Sequence, residues 1–108
     1  MAEQIVSELS GKEFDKYISK GLVLVDFFAD WCMPCLMMAP VVEELAEKFR
    51  GKIKFAKVNV EDNQLLSQKY KINSIPNFIL FKNGEVVKQF IGSISSEEFE
   101  DKIEGSLR

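Results

Sequence analysis

The sequence predicts an α/β fold with a central mixed sheet, in the order β-α-β-α-β-α-β-β-α, flanked by helices on both faces. Segments with helical and with strand periodicity alternate along the 108 residues, a length typical of one domain. The run LVLVDFFA at 22–29 is apolar except for Asp26, which is typical of a parallel strand buried on both faces. Two later β-rich runs flank Asn83-Gly84, the strongest short hairpin signal, and add antiparallel strands. We therefore expect residues 1–108 to form a single domain.

A strand and a helix are expected before this apolar run. The strand is expected near residues 5–9. Ser10 and Glu13 have the Ser-x-x-Glu spacing of a capping box, which predicts a helix from about Gly11. Gly21 is expected to end this helix just before the buried strand.

Helix and strand patterns alternate again after the buried strand. A helix is expected from residue 32 or 34 to Phe49, because its apolar residues recur at helical spacing. The stretch 52–60 alternates apolar and polar residues, which predicts a strand. A short helix is expected at about 63–70.

The last third of the chain carries two local signals. Asn83 and Gly84 both tolerate the positive φ of a type I′ turn, which predicts a hairpin within residues 77–91. Ser95 and Glu98 repeat the capping-box spacing and predict a C-terminal helix. The inward face of that helix is expected to contain Phe99 and Ile103.

Composition argues against several classes of function. The net charge is -3 with acidic and basic residues interspersed, which does not fit a nucleic-acid binder. No apolar run approaches the roughly 20 residues that a transmembrane helix needs, so no membrane partner is expected. The start of the chain lacks the basic and apolar regions of a secretory signal, and we expect a cytoplasmic protein. The chain has no histidine, which excludes Ser-His-Asp and Cys-His nucleophiles within one chain.

The chain has two cysteines, Cys32 and Cys35. Two ligands do not complete a four-ligand zinc site, so a metal or cluster would have to be shared with a second chain. Residues three apart on a helix have Cβ atoms ~5–6 Å apart, and a looser first turn lets such a pair close into a disulfide. The spacing therefore favours a reversible redox couple.

The two sulfurs are expected to differ in reactivity. Cys32 lies at the predicted helix N-terminus, where unpaired N–H groups and the helix dipole favour an anion. Its pKa is expected below the ~8.5 of a free cysteine, which makes Cys32 the nucleophile. Cys35, one turn inside, is expected to be more buried and to act as the resolving thiol. Pro34 fits the first helical turn, where a missing N–H is tolerated.

Several stretches together point to a known family. DFFADWCMPC is followed by AKVNV, SIPNF, KNGEVV and FIGSIS, and in this order and spacing the chain resembles the thioredoxin family from end to end. The resemblance implies a thioredoxin fold and a protein-disulfide reductase, in which Cys32 attacks a substrate disulfide and Cys35 resolves the mixed disulfide. It implies no bound cofactor and no metal, with electrons supplied from NADPH or another donor through a thioredoxin reductase-like enzyme. The expected partners are that reductase and disulfide-containing proteins, and the chain is expected to be a monomer.

The resemblance also assigns roles to two charged residues. It implies that Asp26 is a buried acid beneath Cys35, with a raised pKa, that relays a proton through water. The residues alone allow an exposed position at the strand end equally well. Lys57, in AKVNV, matches the family's lysine that lies near this acid, although the pattern alone also fits an ordinary surface lysine.

A third set of residues is implied to bind the substrate. Ile75-Pro76 is expected to be a cis peptide packed against the two cysteines, which leaves the Ile75 backbone free to pair with an extended substrate. Gly92 would allow close approach of a substrate backbone, or simply end a strand. Trp31 is expected to be partly exposed and to form an apolar patch with Met33, Ile75 and Pro76. The complete expected set is Trp31, Met33, Pro34, Ile75, Pro76 and Gly92.

The sequence departs from the common family pattern at three positions. Met33 and Leu36 stand where Gly and Lys are most frequent, and Phe28 replaces a frequent Trp. Met33 adds a flexible, polarizable side chain at the contact surface, and Leu36 removes a cation near the thiolate. The next two residues, Met37 and Met38, are expected in or near the core.

Two other functions stay open on the sequence. The dipeptide between the cysteines tunes the redox potential, so an oxidase or isomerase that donates its disulfide is an alternative. A non-catalytic binding module, or a metal or cluster shared by two chains, is another. The absence of a secretory signal favours the reductase, because oxidases serve oxidising compartments.

Overall fold

The helices and strands follow one another in the order that the sequence predicts. The computed structural model describes residues 5–108. Its elements are β1 (Val6–Glu8), α1 (Gly11–Ile18), β2 (Leu22–Phe28), α2 (Met33–Lys48), β3 (Ile53–Asn59), α3 (Gln64–Lys69), β4 (Asn77–Lys82), β5 (Glu85–Ile91) and α4 (Ser96–Ser106). Within the described range, none of these helices combines the length and the apolar character that crossing a bilayer requires.

The strands form a mixed sheet in the order β1-β3-β2-β4-β5. β3 pairs in parallel with β1 and β2, whereas β4 pairs antiparallel with β2 and β5. β2 is thus the central strand, with hydrogen-bonded neighbours on both sides and helices on both faces. This position explains why it is apolar almost throughout, and it confirms the thioredoxin fold expected from the resemblance.

Both predicted capping boxes mark real helix starts. The Ser10 N–H donates to Glu13 Oε1 at 2.8 Å, at the start of α1. The Glu98 N–H donates to Ser95 Oγ at 3.2 Å, at the start of α4. These bonds satisfy amides that have no partner inside the helix, which is why a four-residue pattern located both starts.

The Asn83-Gly84 turn also forms as predicted. Asn83 and Gly84 have φ values of 50° and 87°, the left-handed conformation that a type I′ hairpin needs at both positions. The Asn83 side chain does more than turn the chain, since its Oδ1 accepts from the Gly21 N–H at 2.8 Å. The hairpin is therefore attached to the connection between α1 and β2.

The two faces of the sheet differ in what covers them. Helices α1 and α3 cover one face, which is called the α1/α3 face. Helices α2 and α4 cover the other, which is called the α2/α4 face. On the α1/α3 face four aromatic rings are linked by centroid distances of 5.4 to 6.4 Å: Phe14, Phe27, Tyr70 and Phe81. On the α2/α4 face the buried core includes Leu24, Met38, Leu45, Phe55 and Phe99.

Candidate active site

Strand ends bring the predicted site residues to one end of the sheet. The register there pairs Asn77 of β4 with Phe27 of β2 and with Ile91 of β5. The two cysteines follow β2, Pro76 directly precedes β4, and Gly92 directly follows β5. Residues far apart in the chain therefore meet around the start of α2.

The cysteine pair is built into the first turn of α2. The helix begins at Met33, and Cys32 is its N-cap residue. The Cys35 N–H donates to Cys32 Sγ at 3.2 Å, and the two cysteines form a disulfide with Cα atoms 5.2 Å apart. Pro34 lies in the first turn, as predicted. The Cys35 amide points toward the Cys32 sulfur, so a thiolate formed there on reduction is stabilised by this N–H and by the helix dipole.

The expected difference in burial between the two cysteines is wrong for the disulfide form. Cys32 and Cys35 are each 4% exposed. Cys32 is covered because the cysteine pair packs with Ala29, Phe28 and Ile75. The asymmetry between the sulfurs therefore comes from their positions on the helix, with Cys32 at its start and Cys35 one turn inside.

Asp26 is a buried acid on the central strand. It is flanked in the register by Lys57 of β3 and Phe78 of β4, and its Oδ1 has no hydrogen-bond partner within residues 5–108. Burial raises the pKa of Asp26 from 3.8 to about 7, and the cation of Lys57 opposes part of this rise. The alternative of an exposed strand-end residue is therefore wrong.

Strand geometry defines the side of the sheet on which Asp26 lies. Successive side chains of a strand point to opposite faces. Leu24 packs in the α2/α4 core, and Phe28 packs against the cysteine pair. Asp26 lies between them in the same alternation, so its carboxyl group is on the face that α2 covers.

Lys57 is the charged neighbour of this acid. It is the register partner of Asp26 on the parallel strand β3, and its Nζ lies 5.6 Å from the centre of the Phe28 ring. Adjacent positions of paired strands point to the same face, so the ammonium group lies on the Asp26 side of the sheet. Its effect on the Asp26 pKa is smaller than that of burial.

The loop before β4 packs onto the cysteines. The Ile75-Pro76 peptide bond is cis, and Ile75 packs against the cysteine pair. The Gly92 N–H donates to the Pro76 carbonyl oxygen at 2.9 Å, and Gly92 has a φ of 93°. A Cβ built on Gly92 would meet no atom within 4 Å, so glycine is needed there for its backbone conformation and leaves open space beside the loop.

The surface around the disulfide is apolar, but the residues that are exposed on it are not all those that were predicted. Trp31 and Met33 are largely exposed, and Pro34 is exposed beside them. Pro76 is buried and Ile75 only partly exposed, so Pro76 supports the patch from below rather than forming its surface. The exposed part of the patch is therefore centred on the start of α2.

Two residues extend this surface along α2. Met38 is buried as predicted, whereas the expectation of a core position for Met37 is wrong, because Met37 is 70% exposed. Leu36 is also exposed, and Met33, Leu36 and Met37 share one side of the helix at i, i+3 and i+4. The first two turns of α2 are apolar on both sides, so hydrophobic periodicity could not tell which side faces the sheet.

Sequence reasoning missed a buried amide beside the loop. Asn77, the first residue of β4, is 1% exposed. An asparagine that follows a proline usually indicates a turn on the surface, so no local signal pointed to burial. One of its side-chain partners, Ser74, is local, but the other, Gln89, is 12 residues away on β5 and is brought to Asn77 only by folding.

No metal centre is found in the described part of the chain. Within residues 5–108, no group of three or more His, Cys, Asp or Glu side chains could hold a metal ion. The reactive group that this site does contain is the disulfide itself.

Comparison with known proteins finds relatives of one family along almost the whole chain. A family model described as Thioredoxin matches residues 5–105. A protein named thioredoxin from Chlamydia pneumoniae is 41% identical over 95 residues, which cover 88% of this chain and 91% of the relative. A thioredoxin from Staphylococcus epidermidis is 39% identical over 102 residues, covering 94% and 98%. A thioredoxin from Chlorobaculum thiosulfatiphilum is 41% identical over 99 residues, covering 90% and 92%.

Proposed function

Because the chain belongs to the thioredoxin family and is a thiol-disulfide oxidoreductase that reduces protein disulfides, we propose that Cys32 is its nucleophile and Cys35 its resolving thiol. One observation carries this assignment. The Cys32 sulfur is at the start of α2 and accepts the Cys35 N–H, whereas Cys35 lies inside the first turn. A helix N-terminus stabilises an anion, so Cys32 is the sulfur that ionises first.

The proposed reaction proceeds through a mixed disulfide. The Cys32 thiolate attacks one sulfur of the substrate disulfide, forming a Cys32–substrate bond and releasing the other substrate sulfur as a thiolate that takes up a proton. Cys35 then loses its proton and attacks Cys32, which forms the Cys32–Cys35 disulfide and releases the second substrate thiol. The substrate gains two electrons and two protons, and the protein loses them.

Asp26 is the proposed proton acceptor for Cys35. Its pKa of about 7 lets it hold or release a proton near neutral pH, which an ordinary carboxyl group does not do. Its position on the face covered by α2 supports a place beneath Cys35, with a water molecule as the relay. Lys57 is the proposed charge partner that keeps this pKa from rising further.

The proposed substrate surface surrounds the disulfide. The apolar side chains of Trp31 and Met33 would contact the substrate, and the open space beside Gly92 would admit its backbone. The Ile75 backbone would pair with an extended substrate segment. The full proposed set is Trp31, Met33, Pro34, Ile75, Pro76 and Gly92.

The family implies disulfide-containing protein substrates and a reductase as partners. We propose that the reductase is of the thioredoxin reductase type and draws its electrons from NADPH or another donor. We further propose that residues 1–108 form one domain that acts as a cytoplasmic monomer, without nucleic-acid or membrane partners.

The test measures reduction of insulin disulfides by the parent chain, Cys32→Ser and Cys35→Ser. Dithiothreitol is the reductant in one arm, and NADPH with a thioredoxin reductase is the reductant in the other. The parent is expected to turn over in both arms and Cys32→Ser in neither. Cys35→Ser is expected to accumulate a mixed disulfide on Cys32, detected by its mass. Accumulation of the adduct on Cys35 in Cys32→Ser instead would reverse the assignment.

The direction of the reaction is tested by the reduction potential. Equilibration of the Cys32–Cys35 pair with glutathione redox buffers gives this potential directly. A reducing potential is expected for a reductase. A potential close to that of a strong oxidant would instead favour the oxidase or isomerase alternative.

A further inference from the structure

The loop before β4 is held in place by three hydrogen bonds. Asn77 Nδ2 donates to the Ser74 carbonyl oxygen at 3.3 Å. Gln89 Nε2, on β5, donates to Asn77 Oδ1 at 2.9 Å. The Gly92 N–H donates to the Pro76 carbonyl oxygen at 2.9 Å. The Asn77 side chain is therefore bonded at both ends of its amide, on one side to the loop and on the other to β5.

Because Asn77 is buried, the hydrogen bonds of its side chain fix the orientation of its amide. Asn77 is 1% exposed, so its amide cannot exchange these partners for water. A buried amide that loses one partner is left unsatisfied, which favours the single orientation that keeps both. Gln89 is exposed, and its side chain reaches inward to supply the donor.

The three bonds do not use the backbone hydrogen-bonding groups of Ile75, in the middle of the loop. Two of them use the carbonyl groups of Ser74 and Pro76, on the two sides of Ile75. The third joins the side chains of Gln89 and Asn77, and none uses the Ile75 N–H or C=O. Pairing of an extended peptide with a backbone needs those groups fixed in position and free to bond. Ile75 also packs against the cysteine pair, so a peptide that is paired there lies beside the disulfide.

We infer that Asn77, oriented by Gln89, is a positioning residue that presets the Ile75 backbone to pair with an extended segment of a protein substrate. This inference rests on the proposed function, because it assumes that the substrate reaches Cys32 through pairing at this loop. A loop that is already held in the binding conformation does not have to be ordered when the substrate binds, so the entropic cost of binding is lower. The advantage applies to substrates with a peptide backbone and not to small disulfides.

The test compares Gln89→Met and Asn77→Ala with the parent, on two substrates. One is a fluorogenic peptide disulfide with several residues on each side of the cysteine, and the other is 2-hydroxyethyl disulfide. Gln68→Met is the matched control, because Gln68 is an exposed glutamine on α3, which packs on the α1/α3 face. If Asn77→Ala does not fold, Gln89→Met alone provides the test, because a substitution at the exposed Gln89 should leave the fold intact.

The expected result is a roughly 3- to 10-fold rise in KM for the peptide disulfide, with kcat changed less than twofold. The ratio of kcat/KM for the peptide to that for the small disulfide falls by the same factor, and Gln68→Met leaves it at the parent value. A ratio that stays unchanged, or an equal loss on both substrates, would overturn the positioning role. A parent chain that reduces neither substrate would contradict the proposed function instead.

Discussion

The two faces of the sheet are built from the same strands and serve different purposes. Val25 and Asp26 are neighbours on β2, yet Val25 packs in the all-apolar core of the α1/α3 face. Asp26 points to the α2/α4 face, where it has no ion-pair partner within 4 Å among the described residues and α2 begins at the disulfide. The α1/α3 face contains linked aromatic rings and, among residues 5–108, no buried carboxyl group.

This difference shows how one small fold combines stability with a reactive site. A buried carboxylate destabilises the folded state unless it takes up a proton. Apolar burial on the α1/α3 face stabilises the fold without placing any titratable group near the chemistry. We therefore expect substitutions on the α1/α3 face to change stability, and substitutions around Asp26 to change stability and activity in opposite directions.

The largest effect on stability is expected for Phe14→Ala. Phe14 is fully buried, and its ring contacts those of Phe27, Tyr70 and Phe81. Loss of the ring leaves a cavity, so the free energy of unfolding should fall by about 3–5 kcal/mol, measured by urea denaturation. At a temperature where the variant stays folded, kcat for insulin reduction should match that of the parent.

The control for this variant is Leu65→Ala. Leu65 is an exposed leucine on α3, and its removal should change stability by less than about 0.5 kcal/mol. A Phe14→Ala protein that is folded and stable but inactive would contradict the separation of the two faces.

Asp26→Asn should raise stability and lower activity. The pKa of Asp26 is raised from 3.8 to about 7, so at pH 8 the folded parent carries a buried charge that the variant lacks. The variant should be more stable at pH 8 by roughly 2–4 kcal/mol, at about 1.4 kcal/mol per pH unit. Insulin reduction at pH 7 should slow by roughly tenfold or more, because the proton acceptor for Cys35 is gone.

The sign of the pH dependence follows from the direction of this shift. The folded state binds the Asp26 proton more tightly than the unfolded state does, so this contribution to stability is fully present below pH 3.8. It is lost as the pH rises through about 7. Urea unfolding of the oxidised parent should therefore show this decline between about pH 4 and pH 7 and a plateau above it, whereas Asp26→Asn should lack it. Asp101→Asn, at an exposed position on α4, should behave like the parent.

The smallest effect is expected for Lys57→Met. The cation of Lys57 lowers the pKa of Asp26, so its removal should extend the pH-dependent loss of stability to a higher pH, by less than the shift that burial causes. The matched control is Lys54→Met, because Lys54 is also on β3 but reaches Tyr17, with its Nζ 4.4 Å from that ring. Equal shifts in the two variants would show that general surface charge, rather than the position of Lys57, sets this pKa.

Much of the fold could be predicted because its signals are local. The boundaries of α1 and α4 follow from serine–glutamate pairs three residues apart, and the hairpin follows from the φ values that Asn83 and Gly84 tolerate. The redox pair was recognisable for the same reason, since both cysteines lie within one helical turn.

The features that were missed depend on distant contacts. The residues alone could not decide whether Asp26 is buried, because that depends on β3 and β4 flanking β2. Met37 was misplaced because α2 has apolar residues on both sides of its first turns, and only packing against the sheet distinguishes them. Asn77 was missed because its partner Gln89 lies 12 residues away on another strand.

The central claim is that the start of α2 stabilises the Cys32 thiolate. The most direct test is the rate of iodoacetamide alkylation of the reduced protein as a function of pH, with each modified cysteine identified by mass spectrometry. We predict that Cys32 reacts first and titrates clearly below the ~8.5 of a free cysteine, while Cys35 titrates above Cys32. A Cys32 that titrates at or above ~8.5, or a Cys35 that ionises first, would contradict the account.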